Sequence, residues 1–253
     1  MAKRKVQYIG VTSEEPYFMG MIYDFFADIE DFTVTPTKTE VLSMFTSADS
    51  NESPHFSVSY NGIVFDVGRH DQSGLSSGYY LRANTSGVQD TIYASNIEFL
   101  STGFSPTYET TRQCTLEVVY GANILAIIPQ YYSQIPGIIL FFKDENSNIF
   151  YCARTMQSSG NWKLSTVGFH TNATSVEYKI APVCSYTVGV NQIDMYDYII
   201  LKRGSGAEKI SVIHSSDIFY CSPVTRNKIL TIDNKKYKSV ATDCVVQIEE
   251  GNN

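Results

Sequence analysis

Phe56-Ser57-Val58-Ser59-Tyr60-Asn61-Gly62-Ile63-Val64-Phe65-Asp66-Val67 decides the fold class. Apolar and polar residues alternate on both sides of Asn61-Gly62, the period of a strand with one buried face. Asn-Gly supplies the two positive φ angles of a type I′ turn, whose twist matches that of the flanking strands. A two-residue loop sets Tyr60 opposite Ile63, Val58 opposite Phe65 and Phe56 opposite Val67 on one face. Ser57 and Asp66 fall on the other. Turn chemistry and hydrophobic pattern demand the same register, so the stretch predicts an antiparallel hairpin.

The same signals recur outward from it. Residues 78–82 and 115–120 read as strands. Residues 137–143 and 149–154 flank the polar run 144–148, residues 196–203 and 208–213 flank Gly204-Ser205-Gly206, and residues 228–232 and 237–248 flank Asp233-Asn234-Lys235-Lys236. Each pair predicts a further hairpin. One helix precedes them, over residues 14–31. Ser13 suits its N-cap, and Glu14 and Glu15 suit its positive end. Phe18, Ile22, Phe25, Ile29 and Phe32 recur at steps of four and three, widened by Met21 and Phe26, with Asp24, Asp28 and Asp31 off the stripe. Such a stripe is buried either on its own domain or on a neighbouring subunit. The predicted fold class is mainly β (β-rich α+β): antiparallel sandwich or barrel units with one amphipathic N-terminal helix. The polar stretch 102–111, with Gly103 and Pro106, either divides the chain into an N-terminal helix-plus-β unit (1–105) and a C-terminal β unit (106–253) or lies inside a single domain.

The chain has 253 residues, of which 43% are hydrophobic, enough for a sizeable core. Charged residues are 18%, below the roughly 25% of ordinary globular proteins, and Ser, Thr, Asn and Tyr make up the difference. The 18 Tyr suit half-buried sheets and protein interfaces alike. A net charge of −7 argues against nucleic acid as a partner, which needs a basic face. The basic runs are short: Lys3-Arg4-Lys5 reads as a solvated terminus, and Lys235, Lys236 and Lys238 as a hairpin tip. No apolar run approaches the roughly 18 residues of a membrane span. The N-terminus has no apolar signal region, so the product is expected to stay in the cytosol of the cell that makes it.

Chemistry is sparse. Cys114, Cys152, Cys184, Cys221 and Cys244 form no C-x-x-C pair, lie near no His at zinc spacing, and read as reduced structural thiols. His70-Asp71 with Ser73, and His214 with Ser215, Ser216 and Asp217, have the residue types of a hydrolase triad, but sequence neighbours do not face one another as a triad requires. Asp194 and Asp197 flank Tyr196 as ordinary loop acids rather than a glycosidase pair. The 144–148 run lacks the Gly and terminal Glu of an EF-hand. No glycine-rich phosphate loop occurs. No catalytic, metal or cofactor-binding residue is predicted, no cofactor is expected, and the chain does not read as an enzyme.

Ile229-Leu230-Thr231-Ile232-Asp233-Asn234-Lys235-Lys236-Tyr237-Lys238-Ser239-Val240 resembles a hairpin of structural proteins of tailed bacteriophages and related contractile particles: an apolar strand, Asp-Gly or Asp-Asn, a Lys, a Tyr and a return strand. Asn234 stands where Gly is commoner. The resemblance implies a tail, baseplate or neck component in a virion, partnered by copies of itself and by other particle proteins. The alternative reading is a carbohydrate or cell-surface ligand-binding module that stacks sugars on Trp162, Tyr79, Tyr80, Tyr131 and Tyr132.

Overall fold

The computed structural model describes residues 2–10, 15–46, 54–70, 78–84, 96–98, 113–131, 138–143, 145, 150–158, 161–165, 175–177, 184–188, 191–196, 198–203, 208–214, 218–221, 228–241 and 244–249, with the strands between 150 and 214 described by their backbone. The elements run β1 (Lys3–Gly10), α1 (Glu15–Ala27), β2 (Thr33–Thr35), α2 (Lys38–Ser43), β3 (His55–Tyr60), β4 (Ile63–His70), β5 (Gly78–Asn84), β6 (Asn96–Glu98), β7 (Gln113–Gly121), β8 (Ile124–Tyr131), β9 (Ile139–Lys143), β10 (Phe150–Ser158) and β11 (Asn161–Ser165). There follow β12 (Ser175–Glu177), β13 (Cys184–Val188), β14 (Asn191–Tyr196), β15 (Tyr198–Arg203), β16 (Glu208–His214), β17 (Ile218–Cys221), β18 (Ile229–Ile232), β19 (Lys235–Ala241) and β20 (Cys244–Ile248). The fold is mainly β, built of antiparallel sheets, and among the described residues no sheet closes into a barrel. Their strand orders are β2-β3-β4-β5-β6, β1-β7-β8-β9-β10-β11, β12-β15-β16 and β13-β14-β17-β20-β19-β18.

The hairpin that carried the sequence argument is β3–β4. Asn61 and Gly62 have φ of 48° and 81°, and Phe56↔Val67, Val58↔Phe65 and Tyr60↔Ile63 are its register. All six side chains are buried. On the other face Ser57 Oγ donates to Asp66 Oδ1 at 2.6 Å. The expected hairpins β9–β10, β15–β16 and β18–β19 also form.

The helix α1 ends at Ala27, earlier than expected, and the chain continues in turns closed by Ile29 N–H to the Phe26 carbonyl and Phe32 N–H to the Ile29 carbonyl. Its stripe packs on its own chain. Phe18, Ile22 and Phe25 are fully buried, in one cluster with Phe56, Val58, Ile63, Phe65 and Val67 of the five-stranded sheet and with Ile9, Leu116, Val118, Leu125, Ile127, Ile139 and Phe141 of the six-stranded sheet. Of the two coverings open from sequence, the neighbouring subunit is thereby set aside for this stripe. At its centre, Phe26 meets Phe65 edge-on at 5.2 Å and Phe32 lies 4.7 Å from Tyr60, geometries aromatic quadrupoles favour.

The other face of the six-stranded sheet is buried too, at Val119, Ile124, Ala126, Ile128, Leu140 and Phe142. Burial on both faces explains why the runs 124–128 and 138–142 are continuously apolar instead of alternating. The β1 strand, from the first 105 residues, borders this sheet and pairs with β7 along its whole length, Lys3↔Tyr120 to Gly10↔Gln113. The stretch 102–111 that suggested a domain division lies outside the described residues.

Of two readings of the basic residues, one is extended and one corrected. Lys3 and Arg4 are exposed, as a solvated terminus would be, but the run Lys3-Arg4-Lys5 is also the start of β1: Arg4 binds Glu117, and Lys5 Nζ donates to the Phe25 carbonyl at 2.9 Å. The fourth hairpin turns on Asp233 and Asn234 alone, with φ of 48° and 59°. Lys235 and Lys236 therefore lie in β19, Lys238 is buried, and the expected return strand 237–248 is two paired strands, β19 and β20.

Candidate functional site: the outer edge of β1

Antiparallel strands leave unpaired main-chain groups at the borders of a sheet, and such a border is where a β protein can add another chain. Three borders carry described side chains. The strand β2 is three residues long and is followed by Pro36, which blunts it. The strand β18 is four residues long and exposes Ile229 (44%). The strand β1 is eight residues long and exposes Val6 (43%) and Tyr8 (56%).

The direction of the β1 edge follows from its first contact. Ala2 N–H donates to the Gln247 carbonyl at 3.2 Å, and the Ala2 carbonyl accepts from Glu249 N–H at 2.8 Å. Both main-chain groups of Ala2 thus point away from β7. In an extended strand every second residue repeats that direction, so Arg4, Val6, Tyr8 and Gly10 present their N–H and C=O outward while Lys3, Lys5, Gln7 and Ile9 bond β7. Among the described residues no strand pairs with this outer edge beyond the bridge at Ala2. The outward residues also share a sheet face. Arg4, Val6 and Tyr8 lie on the face of Glu117, and Lys5 and Ile9 on the face of α1.

A buried ionic cluster fixes the base of this edge. Glu117, on β7, is 5% exposed, and Lys238, on β19, is 2% exposed. Lys238 Nζ lies 2.8 Å from Glu117 Oε2, and Arg4 Nε lies 2.6 Å from Glu117 Oε1. Burial pushes the Lys238 ammonium below its ordinary value of 10.5, and the Glu117 carboxylate opposes that shift. Glu117 and Lys238 lose their hydration and are compensated by each other, and the part-exposed Arg4 adds a second cation on the carboxylate, so three strands from distant parts of the chain meet at one group.

The residues weighed for chemistry stay apart. His55 begins β3 and His70 ends β4 in the same sheet, where His55 stands opposite Gly68; His214 ends β16 in another sheet, and His170 lies outside the described residues. Asp194 is in β14, opposite Ser185, and Asp197 lies outside the described residues. Among the described residues no group of three His, Cys, Asp or Glu could hold a metal ion. Glu145, from the run once compared with a calcium loop, accepts from Asn123 Nδ2 at 3.2 Å. Cys221 and Cys244 are buried. Trp162 stands in β11, Tyr79 and Tyr80 in β5 and Tyr131 at the end of β8; their side chains, and all of Tyr132, lie outside the described residues. The sequence left the α1 stripe open between its own domain and a neighbouring subunit, and did not mark β1 as an edge strand. Its only visible signal was the pair Val6 and Tyr8, two residues apart after a basic triplet. No protein-family model, no curated protein and no solved structure matches the chain.

Proposed function

We propose that the protein is a non-enzymatic structural subunit of a multi-copy particle, a tail, baseplate or neck component of a tailed bacteriophage, and that it works through protein–protein interfaces. The observation that carries the assembly role is the outer edge of the eight-residue β1, with Val6 and Tyr8 half exposed on it and, among the described residues, no strand paired with it beyond the bridge at Ala2. Such an edge is an adhesion hazard in a solitary protein and is ordinarily blunted by Pro, a bulge or short length, as at β2. Its basic start does not blunt it, because Arg4 is turned onto Glu117 and Lys5 onto Asp28 and the Phe25 carbonyl. The kind of particle comes from the resemblance of the hairpin at residues 229–240. Mass spectrometry and immunogold labelling of purified particles test the reading: the chain is expected at stoichiometric level, and its absence from every particle fraction overturns it.

A further inference from the structure

We propose that the strand added at this edge is β1 of a second copy, running antiparallel, with a two-fold axis at Gln7. The inference rests on the assembly reading and names its partner. Only outward-pointing residues can exchange main-chain bonds, so Arg4, Val6, Tyr8 and Gly10 of one copy must meet residues of the same set in the other. Several antiparallel registers keep outward residues opposite one another, but only an axis at Gln7 pairs all four within the set: axes nearer Gly10 leave Arg4 unmatched, and axes nearer Lys3 call on Ala2. An axis at Val6 brings Gly10 opposite Ala2, whose outward groups are already taken by Gln247 and Glu249. An axis at Gln7 stops short of that clash. It sets Val6 opposite Tyr8 and Arg4 opposite Gly10, and repeats both pairs by symmetry.

The Gln7 register also accounts for the side chains. The exposed Val6 and Tyr8 of each copy become direct cross-strand neighbours on one face, which removes the apolar exposure of β1. Charge selects the same direction. Lys3, Arg4 and Lys5 crowd one end of the strand, and Tyr8, Ile9 and Gly10 are neutral at the other. Antiparallel pairing lays each basic end against a neutral end, Lys5 opposite Ile9. A parallel copy in register would stack Lys3 on Lys3, which is unfavourable, with a smaller addition from Arg4 and Lys5, each paired within its own chain. The product joins two six-stranded sheets into one continuous sheet under a closed two-fold symmetry.

Sedimentation velocity over a concentration series, on the full chain, tests this with three variants. Val6→Pro deletes an outward N–H and leaves the β7 ladder intact, since Pro is tolerated where its nitrogen faces out of the sheet. Tyr8→Lys puts a charge at the apolar contact. Both are expected to weaken dimerisation at least tenfold while keeping the wild-type near-ultraviolet circular dichroism. Gln7→Cys is expected to give a disulfide-linked dimer under mild oxidation, faster than wild type or Val6→Cys, because facing residues of a non-hydrogen-bonded pair sit roughly 4.5 Å apart at Cα, within disulfide reach. If Val6→Pro fails to fold, Tyr8→Lys and Gln7→Cys decide. A wild-type monomer at all concentrations overturns the proposal, as does a dimer indifferent to Tyr8→Lys whose Gln7→Cys form does not cross-link. A monomer that still enters particles in a Tyr8-dependent way overturns copy pairing alone and leaves the assembly reading standing. A dimer of the stated kind, absent from every particle, supports the pairing and overturns the reading.

Discussion

Glu117 joins three distant parts of the chain, and its surroundings fix how it responds to substitution. With Arg4 and Lys238 both on its carboxylate, Glu117→Ala leaves the ammonium of Lys238 buried with nothing to balance it. A loss of about 3–5 kcal/mol is expected in a urea titration, and the double change Glu117→Met with Lys238→Met is expected to cost less than Glu117→Ala alone, because it removes both buried charges together. Alkaline pH acts on Tyr60 and Lys238 with opposite signs. Desolvation first, then the nearby acid Asp31, pushes the Tyr60 phenol from 10.0 up to about 12. Its contribution to stability is complete below the unfolded value of 10 and is lost as pH rises toward 12, where the unfolded chain ionises first. Lys238, lowered in the folded state, does the reverse: its cost is relieved as pH climbs to the unfolded value of 10.5. Urea midpoints measured across that range are expected to fall less steeply for Tyr60→Phe than for wild type, and more steeply for Lys238→Met.

At the scale of elements, the hairpin β3–β4 and the helix α1 show what local sequence can and cannot say. Asn61-Gly62 and the alternation around it are complete within twelve residues, and every pairing they imply is present. A Cβ added at Gly62 would meet nothing within 4 Å, yet φ is +81°; Gly62→Ala is therefore expected to cost about 1 kcal/mol through the backbone alone. At the corresponding turn of β18–β19, Asn234 holds φ 59°, and Asn234→Gly is expected to gain up to about 1 kcal/mol in the same titration. The stripe on α1 was equally legible as a stripe, but its covering was not, since it comes from strands near residues 60, 120 and 140 that no local window contains. Phe25 is fully buried there. Phe25→Asp is thus expected to cost about 4 kcal/mol or more and to unfold the N-terminal layers, not to block assembly selectively. The edge strand was hidden for a related reason. Lys3, Arg4 and Lys5 break the alternation that marks a strand, and the acceptors that tame two of those charges lie in α1 and β7, more than a hundred residues away for Arg4.

Across the whole molecule, the two ends of the described chain are tied together. Ala2 bridges to Ile248 with a bond on either side, to Gln247 and from Glu249, and the link between Lys238 and Glu117 lies on the same seam. Gly121 allows the closeness: a Cβ there would stand 3.2 Å from the Ala2 Cα and 3.4 Å from its Cβ, tighter than ordinary packing. The seam joins the six-stranded sheet containing β1 to the sheet containing β20, so it couples their stabilities. The single Trp162, in β11, reports on the first of these sheets, while far-ultraviolet circular dichroism reports on all of them. In wild type the two signals are expected to follow one urea transition, the mark of cooperative unfolding. Gly121→Ala with Glu117→Ala pushes Ala2 aside and deletes the ionic link in one protein, and the fluorescence and dichroism midpoints are then expected to separate. Coincident transitions in that double variant would place the coupling elsewhere than the seam. Either outcome bears on assembly, because a β1 strand loosened from β20 at its first residue also loses the anchor that sets which of its main-chain groups face outward.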